Sequence, residues 1–182
     1  GGGVSRAQAY RTEALSKLTN EIGVYALCDL DGQPIYVGQS VDGIRTRVRR
    51  HLTSARSDVI ANRQIDVWEI AYVWAWPVSD IMDVGPLEDS IFNHFDAQQP
   101  LMNGRSLVPS LLQPDWPDKQ EIQVIEEADR LLRLDPEQRL PRQIQQYNLL
   151  VDYILTVKDA SHLKLSLEAH FQRLVKYHQT FL

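Results

Sequence analysis

The period of the hydrophobic positions changes several times along the chain, and each change marks an element. From Ser5 to Leu18, the residues Ala7, Tyr10, Ala14 or Leu15, and Leu18 recur on one face, which predicts a short helix. Ile22 to Cys28 and Gln33 to Gly38 read as two strands. Asp31-Gly32 lies between them, the dipeptide that most favours a tight hairpin turn. A helix over residues 43–56 follows, with Ser40 or Asp42 placed to cap it. Gln64 to Val78 is rich in Val, Ile, Tyr and Trp and predicts a further strand, ended by Pro77. Pro86 occupies a first helical position, and Leu87 to Ala97 continues that helix.

The order α, β, β, α, β, α defines an α/β (α+β) fold: a small three-stranded sheet, mixed or antiparallel, flanked by helices. Pro109, Pro114 and Pro117 then mark residues 108–118 as a proline-rich linker. Beyond it the pattern is helical only. Ile122, Ile125, Ala128 and Leu132 keep helical spacing, as do Ile144, Tyr147, Val151 and Ile154, and again Leu163, Leu167, Phe171, Leu174 and Phe181. Asp135-Pro136 opens one of these helices and Pro141 restarts it. The expected organisation is a tag remnant at 1–3, a sheet-based domain at 4–107, the linker, and a helical C-terminal region at 119–182. Apolar stripes on three helices need a partner face: each other, the sheet domain, or another chain.

Composition narrows the function classes. No apolar run spans a bilayer and the N-terminus lacks a signal-peptide pattern, so a cytoplasmic protein without a membrane partner is expected. Cys28 is the only cysteine, which excludes an intramolecular disulfide and a cysteine-ligated zinc site. The net charge is −5, unfavourable for unaided binding to a phosphate backbone. Neither half is basic: 10 Lys and Arg face 13 Asp and Glu up to Leu112, and 9 face 11 after it. The exception is local. Six arginines against two aspartates between Val41 and Arg63 give that segment a net charge of +4, enough for a short phosphate footprint.

The candidate chemistry lies around this segment. Tyr25 and Tyr36 are ordinary strand residues taken singly, but each sits in a Gly-x-Tyr or Tyr-x-Gly frame, Gly23-Val24-Tyr25 and Tyr36-Val37-Gly38. Glycine beside a strand aromatic lets a backbone or ligand approach closely. Arg47 and His51 are four residues apart on the predicted helix and share a face. The guanidinium fork matches two phosphate oxygens and stays charged at any relevant pH. Arg49, Arg50 and Arg56 fit backbone-contact or solvated positions better. Glu88, third in a helix opened by Pro86, either completes a capping arrangement or holds a magnesium ion whose other ligands are water and phosphate. His162, His170 and His178 stand two helical turns apart, too far to share a metal. Trp68, Trp74 and Trp76 could stack on bases, although strand-borne aromatics are more often core.

Gly23-Val24-Tyr25, Tyr36-Val37-Gly38-Gln39-Ser40, Arg47, Glu88 and Asn103 together resemble the GIY-YIG nuclease family in order and approximate spacing. Pro100-Leu101-Met102-Asn103 is similar to the family's Pro-x-x-Asn end, and the Arg47/His51 pair is similar to that of its restriction-enzyme members. The resemblance covers about residues 20 to 105. It implies a DNA endonuclease using one Mg2+ or Mn2+ ion per site, held by Glu88. It implies Arg47 as the catalytic arginine, with Arg45 the register alternative. It also implies Tyr25 as the residue that helps deprotonate water, Tyr36 and His51 as orienting groups, and Asn103 as a hydrogen-bonding brace. A free phenol ionises near pH 10, so this role requires neighbouring cations to lower that value. Arg45, Arg49, Arg50 and Arg56 are the expected DNA contacts. The helical region is the expected surface for a homodimer or protein partner. The competing function class is a catalytically silent binding module on the same fold.

Overall fold

The computed structural model describes residues 5–54, 56–105 and 114–182. Helix α1 (Arg6–Ser16) leads into β1 (Gly23–Cys28), β2 (Pro34–Ser40), α2 (Ile44–Thr53) and the short α3 (Asp58–Ala61). Strand β3 (Tyr72–Pro77), helix α4 (Val84–Gln98) and strand β4 (Gln120–Gln123) follow. The helices α5 (Glu127–Arg133), α6 (Pro136–Thr156) and α7 (Ser161–Phe181) complete the order. The sheet is antiparallel, in the order β2-β1-β3-β4. The fold is therefore α+β as expected, with four strands in place of three. The fourth is legible only in space: Lys119-Gln120-Glu121-Ile122-Gln123 is polar, as an exposed edge strand often is. Ile122 faces Val73 across the pair and packs on the core, so it belongs to the sheet and not to a helical stripe.

Strand β1 is central and buried on both faces. Its odd and even positions part accordingly. Tyr25 and Leu27 join Val48, Leu52, Val73 and Ala75 on the face covered by α1 and α2, where Ala169 of α7 also packs. Val24, Ala26 and Cys28 join Trp76, Leu87, Ile91 and Phe92 on the face covered by α4. Trp76 is core, while half-buried Trp74 carries the Lys119 ammonium 3.6 Å above its ring.

Several boundaries depart from the sequence pattern for identifiable reasons. The β1–β2 connection spans residues 29–33, because the Asp29 carboxylate accepts from the amides of Asp31 and Gln33, both at 2.9 Å. Asp66 accepts from the amide of Trp68 and winds Val67–Glu69 into a 3-10 turn, so the strand begins only at Tyr72. Helix α4 starts at Val84, two residues before Pro86, which puts Glu88 a full turn inside the helix and away from any cap. Helix α6 runs unbroken through Pro141. Neither Ser40 nor Asp42 caps α2. Asn20 Oδ1 does so, accepting from the Thr46 amide at 3.0 Å, while the carbonyls of Glu21 and Thr19 take the amides of Ile44 and Arg45. Ser40 instead braces the turn, accepting from the Gly43 amide at 2.9 Å. The first part of the expected linker, 108–113, lies outside the described residues.

Buried charge joins α6 and α7 to the sheet. Arg139 has no exposed side-chain surface. It donates through Nε to Glu69 Oε1 at 2.9 Å and through Nη2 to Tyr177 Oη at 3.0 Å, and Nη2 is paired with Asp31 at 2.8 Å. Arg173 donates to Asp29 Oδ2 and, at 2.9 Å, to Tyr177 Oη. Burial pushes the Glu69 carboxyl up to about 7 against the pull of Arg139. A smaller polar contact adds to this: Gln64 Nε2 and Ser166 Oγ both donate to the carbonyl of Met102, at 3.2 and 2.8 Å.

Replacing Arg139 by methionine leaves Glu69 buried beside an apolar stem. Such a loss costs about 3–5 kcal/mol when the remaining group stays charged. The deficit should be larger at pH 8 than at pH 5. A carboxyl whose folded pKa is raised stabilises the fold while protonated, and that contribution fades as pH rises through about 7. Denaturant titrations of both proteins at the two pH values measure it; a deficit under about 1 kcal/mol at pH 8 would contradict the assignment.

Candidate active site

Tyr25 and Gly38 are register partners across the hairpin. A Cβ on Gly38 would stand 2.4 Å from Tyr25 Oη and 2.5 Å from Cζ, so the absence of a side chain there is what lets the tyrosine lie across β2. Tyr36, two residues earlier on β2, stacks its ring 6.4 Å from that of Tyr25 at 29°. Helix α2 brings the His51 ring to 5.9 and 5.8 Å from the two tyrosines. Tyr25 Oη and His51 Nε2 are hydrogen-bonded at 2.8 Å, and His51 Nδ1 pairs with Ser57 Oγ at 2.6 Å. Ser57 precedes α3 without capping it through its side chain; its hydroxyl is engaged by the histidine. The chain Tyr25–His51–Ser57 is thus continuous. Nothing in the sequence pattern singles out Ser57 for this contact.

Burial sets the charge state of these groups. Tyr25 is 1% and His51 4% exposed. Burial pushes both phenols up, and the neighbouring charge of Arg47 opposes the shift without overcoming it. The expected lowering of the phenol's pKa is therefore not found. Burial, with Arg47 and Arg50 nearby, pushes His51 down to about 4. At neutral pH all three rings are uncharged.

The arginines divide by environment. Arg47, Arg49, Arg50 and Arg56 are exposed. Arg45 is half-buried and donates through Nε to the carbonyl of Leu18 at 2.7 Å, tying α2 to the end of α1. Of the two register alternatives it is Arg47 whose charge acts on both phenols and on His51. Glu88, on α4, also acts electrostatically on both phenols. Burial raises its own pKa, countered by Arg105, whose Nη1 donates to Glu88 Oε1 at 2.8 Å. Sequence reasoning missed Arg105; its nearness to Asn103 is the only cue the chain gives. Asn103 accepts from the Val37 amide at 3.0 Å and donates to the Val37 carbonyl, while the Met102 amide reaches Ile35 O at 2.7 Å. The segment so covers the free edge of β2 at the Tyr36-Val37-Gly38 motif.

Among the described residues there is no group of three His, Cys, Asp or Glu side chains that could cage a metal. Glu88 offers one carboxylate, with 17% of its side chain exposed. That donor suits a hard cation that keeps most of its water shell and takes phosphate oxygens, as Mg2+ does.

Residues 21–97 match the family model described as the GIY-YIG catalytic domain. Neither comparison, with curated proteins or with solved structures, gave a match. The matched segment contains both tyrosine motifs, the arginine helix and Glu88, so this part of the chain is similar to the GIY-YIG catalytic domain. Asn103, Arg105 and the C-terminal helices lie beyond the match. Among the described residues no helix is long and apolar enough to cross a membrane.

Gly38→Ala should displace the Tyr25 ring and cost about 1–3 kcal/mol, the usual range for overpacking. Denaturation will read the stability and His51 ring nitrogen resonances will read the lost contact. Wild-type stability with unchanged His51 signals would refute this account of Gly38.

Proposed function

We propose that the protein is a divalent-metal-dependent DNA endonuclease of the cytoplasm. The observation that carries this reading is the continuous Tyr25–His51–Ser57 chain set beside the exposed Arg47 and the carboxylate of Glu88. Glu88 holds the cation, Mg2+ or Mn2+. When bound there, the ion polarises the phosphate and offsets charge on the leaving oxygen. Arg47 engages the nonbridging oxygens and stabilises the charge that grows on them in the transition state.

A neutral phenol is a poor base, so Tyr25 acts with its neighbour. As water attacks phosphorus, its proton passes to Tyr25 Oη while the phenolic proton moves to His51 Nε2. This transfer uses the tautomer in which His51 Nδ1–H donates to Ser57 Oγ. The bond from phosphorus to the leaving oxygen breaks as the new one forms. Tyr36 orients the water or phosphate, and Asn103 holds the Tyr36-Val37-Gly38 backbone in place. Arg49, Arg50 and Arg56 contact flanking phosphates, with Arg45 chiefly fixing the helix that carries the first two. The local charge of +4 against a chain net of −5 favours a short footprint, with affinity supplemented by a second copy or a protein partner. Exposed Ile144, Phe171 and Val175 on α6 and α7 are suited to that contact, which size-exclusion chromatography tests directly. A silent binding module is disfavoured, since it has no use for an intact Tyr25, Tyr36, Arg47, His51 and Glu88 set.

Glu88→Gln should abolish cleavage of supercoiled DNA in Mg2+ or Mn2+ while leaving DNA affinity within a few-fold. Arg47→Ala should lower kcat by about 100- to 1,000-fold, well beyond its effect on binding. Full cleavage by the Glu88→Gln protein would remove the metal role.

A further inference from the structure

The Glu88 carboxylate is held from one side by a residue outside the family match. Arg105 donates through Nη1 to Glu88 Oε1 at 2.8 Å and through Nη2 to Asp89 Oδ1 at 2.7 Å. Its guanidinium carbon lies 4.3 Å from the centre of the Phe92 ring, itself fully buried on α4. Two consecutive carboxylates and an aromatic face therefore fix both the position and the plane of the group. The backbone behind it is fixed as well. The Met102 carbonyl receives Ser166 and Gln64, Asn103 is paired with Val37, and Gly104 (φ 73°) lies so close to the His162 carbonyl that a Cβ would stand 2.3 Å from its oxygen.

We propose that Arg105 is a positioning residue for the cleavage reaction: pinned by Asp89 and Phe92, it grips Glu88 by one oxygen and so fixes the other for a cation. This rests on the reading of Glu88 as the metal ligand. A glutamate has three side-chain torsions, and a carboxylate free to turn at the edge of a site presents its oxygens in several directions. An arginine that bridges two carboxylates removes that freedom. A role as a phosphate contact fits less well, because the same two nitrogens would first have to leave both carboxylates. Lysine cannot replace it, since a single ammonium lacks the planar fork that reaches Glu88 and Asp89 together while stacking on Phe92.

The test compares full-length Arg105→Gln, Arg105→Lys and Asp89→Asn with the wild type and with Glu88→Gln. It measures steady-state cleavage, Mn2+ binding to the DNA-free protein by electron paramagnetic resonance, and thermal unfolding. Misplacing a reacting group by about 1 Å costs about 100-fold in rate, so Arg105→Gln should lose about that much in kcat. Its KM for DNA and its Mn2+ affinity should stay within about threefold of wild type, because the ligand is present but poorly aimed. Arg105→Lys should lose at least about tenfold, and Asp89→Asn, which frees one tine of the fork, a smaller part. Should Arg105→Gln not fold, the lysine and Asp89→Asn proteins carry the test by the same criteria.

Full kcat in Arg105→Lys would show that charge alone suffices and would overturn the proposal. So would a raised KM with unchanged kcat, the mark of a DNA contact. Wild-type Mn2+ affinity in Glu88→Gln would overturn the ligand reading itself. Glu88-dependent Mn2+ binding with wild-type rates in all Arg105 and Asp89 variants would overturn the positioning role alone.

Discussion

Two guanidinium groups have been taken almost wholly out of water, and the architecture is organised around neutralising them. Moving such an ion into a protein interior costs several kcal/mol even after relaxation. Arg139 and Arg173 recover this cost from Asp29, Glu69, Asp31 and the Tyr177 hydroxyl, contributed by the β1–β2 loop, the turn before β3, and α7 itself. Asp29 serves twice. One oxygen shapes the hairpin loop by accepting two amides and the other holds Arg173. The conformation of the hairpin that carries both tyrosines is therefore tied to the docking of the last helix.

The same low-polarity interior governs the site. Tyr25 and His51 are close enough to exchange a proton, and burial holds them and Tyr36 neutral, against the positive charge of Arg47 at the phenols and together with it at His51. Charge is confined to the rim, where Arg47 and Glu88 stand. In the proposed reaction this separates the groups assigned to proton transfer from those assigned to phosphate and cation. Asn103 contributes by substituting for a strand neighbour at Val37, which occupies the sheet edge at that residue.

Much of this was legible in the chain. The two glycine–tyrosine frames marked the paired strands, and the structure shows why Gly38 is glycine: a Cβ there would stand 2.4 Å from Tyr25 Oη. The four-residue spacing of Arg47 and His51 gave the shared helix face, on which Arg47 is exposed and His51 buried. What stayed hidden were contacts between distant segments. Strand β4 is three polar residues and Ile122, and its pairing partner lies more than forty positions earlier. The cap of α2 comes from Asn20, not from its own flank. Ser57 and Arg105 carry no local signature, and the apolar stripes of α6 and α7 say nothing of the arginines buried between them. Local pattern encodes elements; it does not encode which charges will meet across the interior.

The support that Ser166 gives to the Met102 carbonyl, and His162 to Gly104, has a temporal side. These two residues are made some sixty positions after the segment they hold. On the ribosome, the tyrosines, Arg47, His51 and Glu88 all emerge well before the helix that steadies the Asn103 and Arg105 loop. A nascent chain thus carries every chemical group of the site while still lacking its final buttress. The loop that carries Asn103 and Arg105 gains these contacts only once α7 has left the exit tunnel.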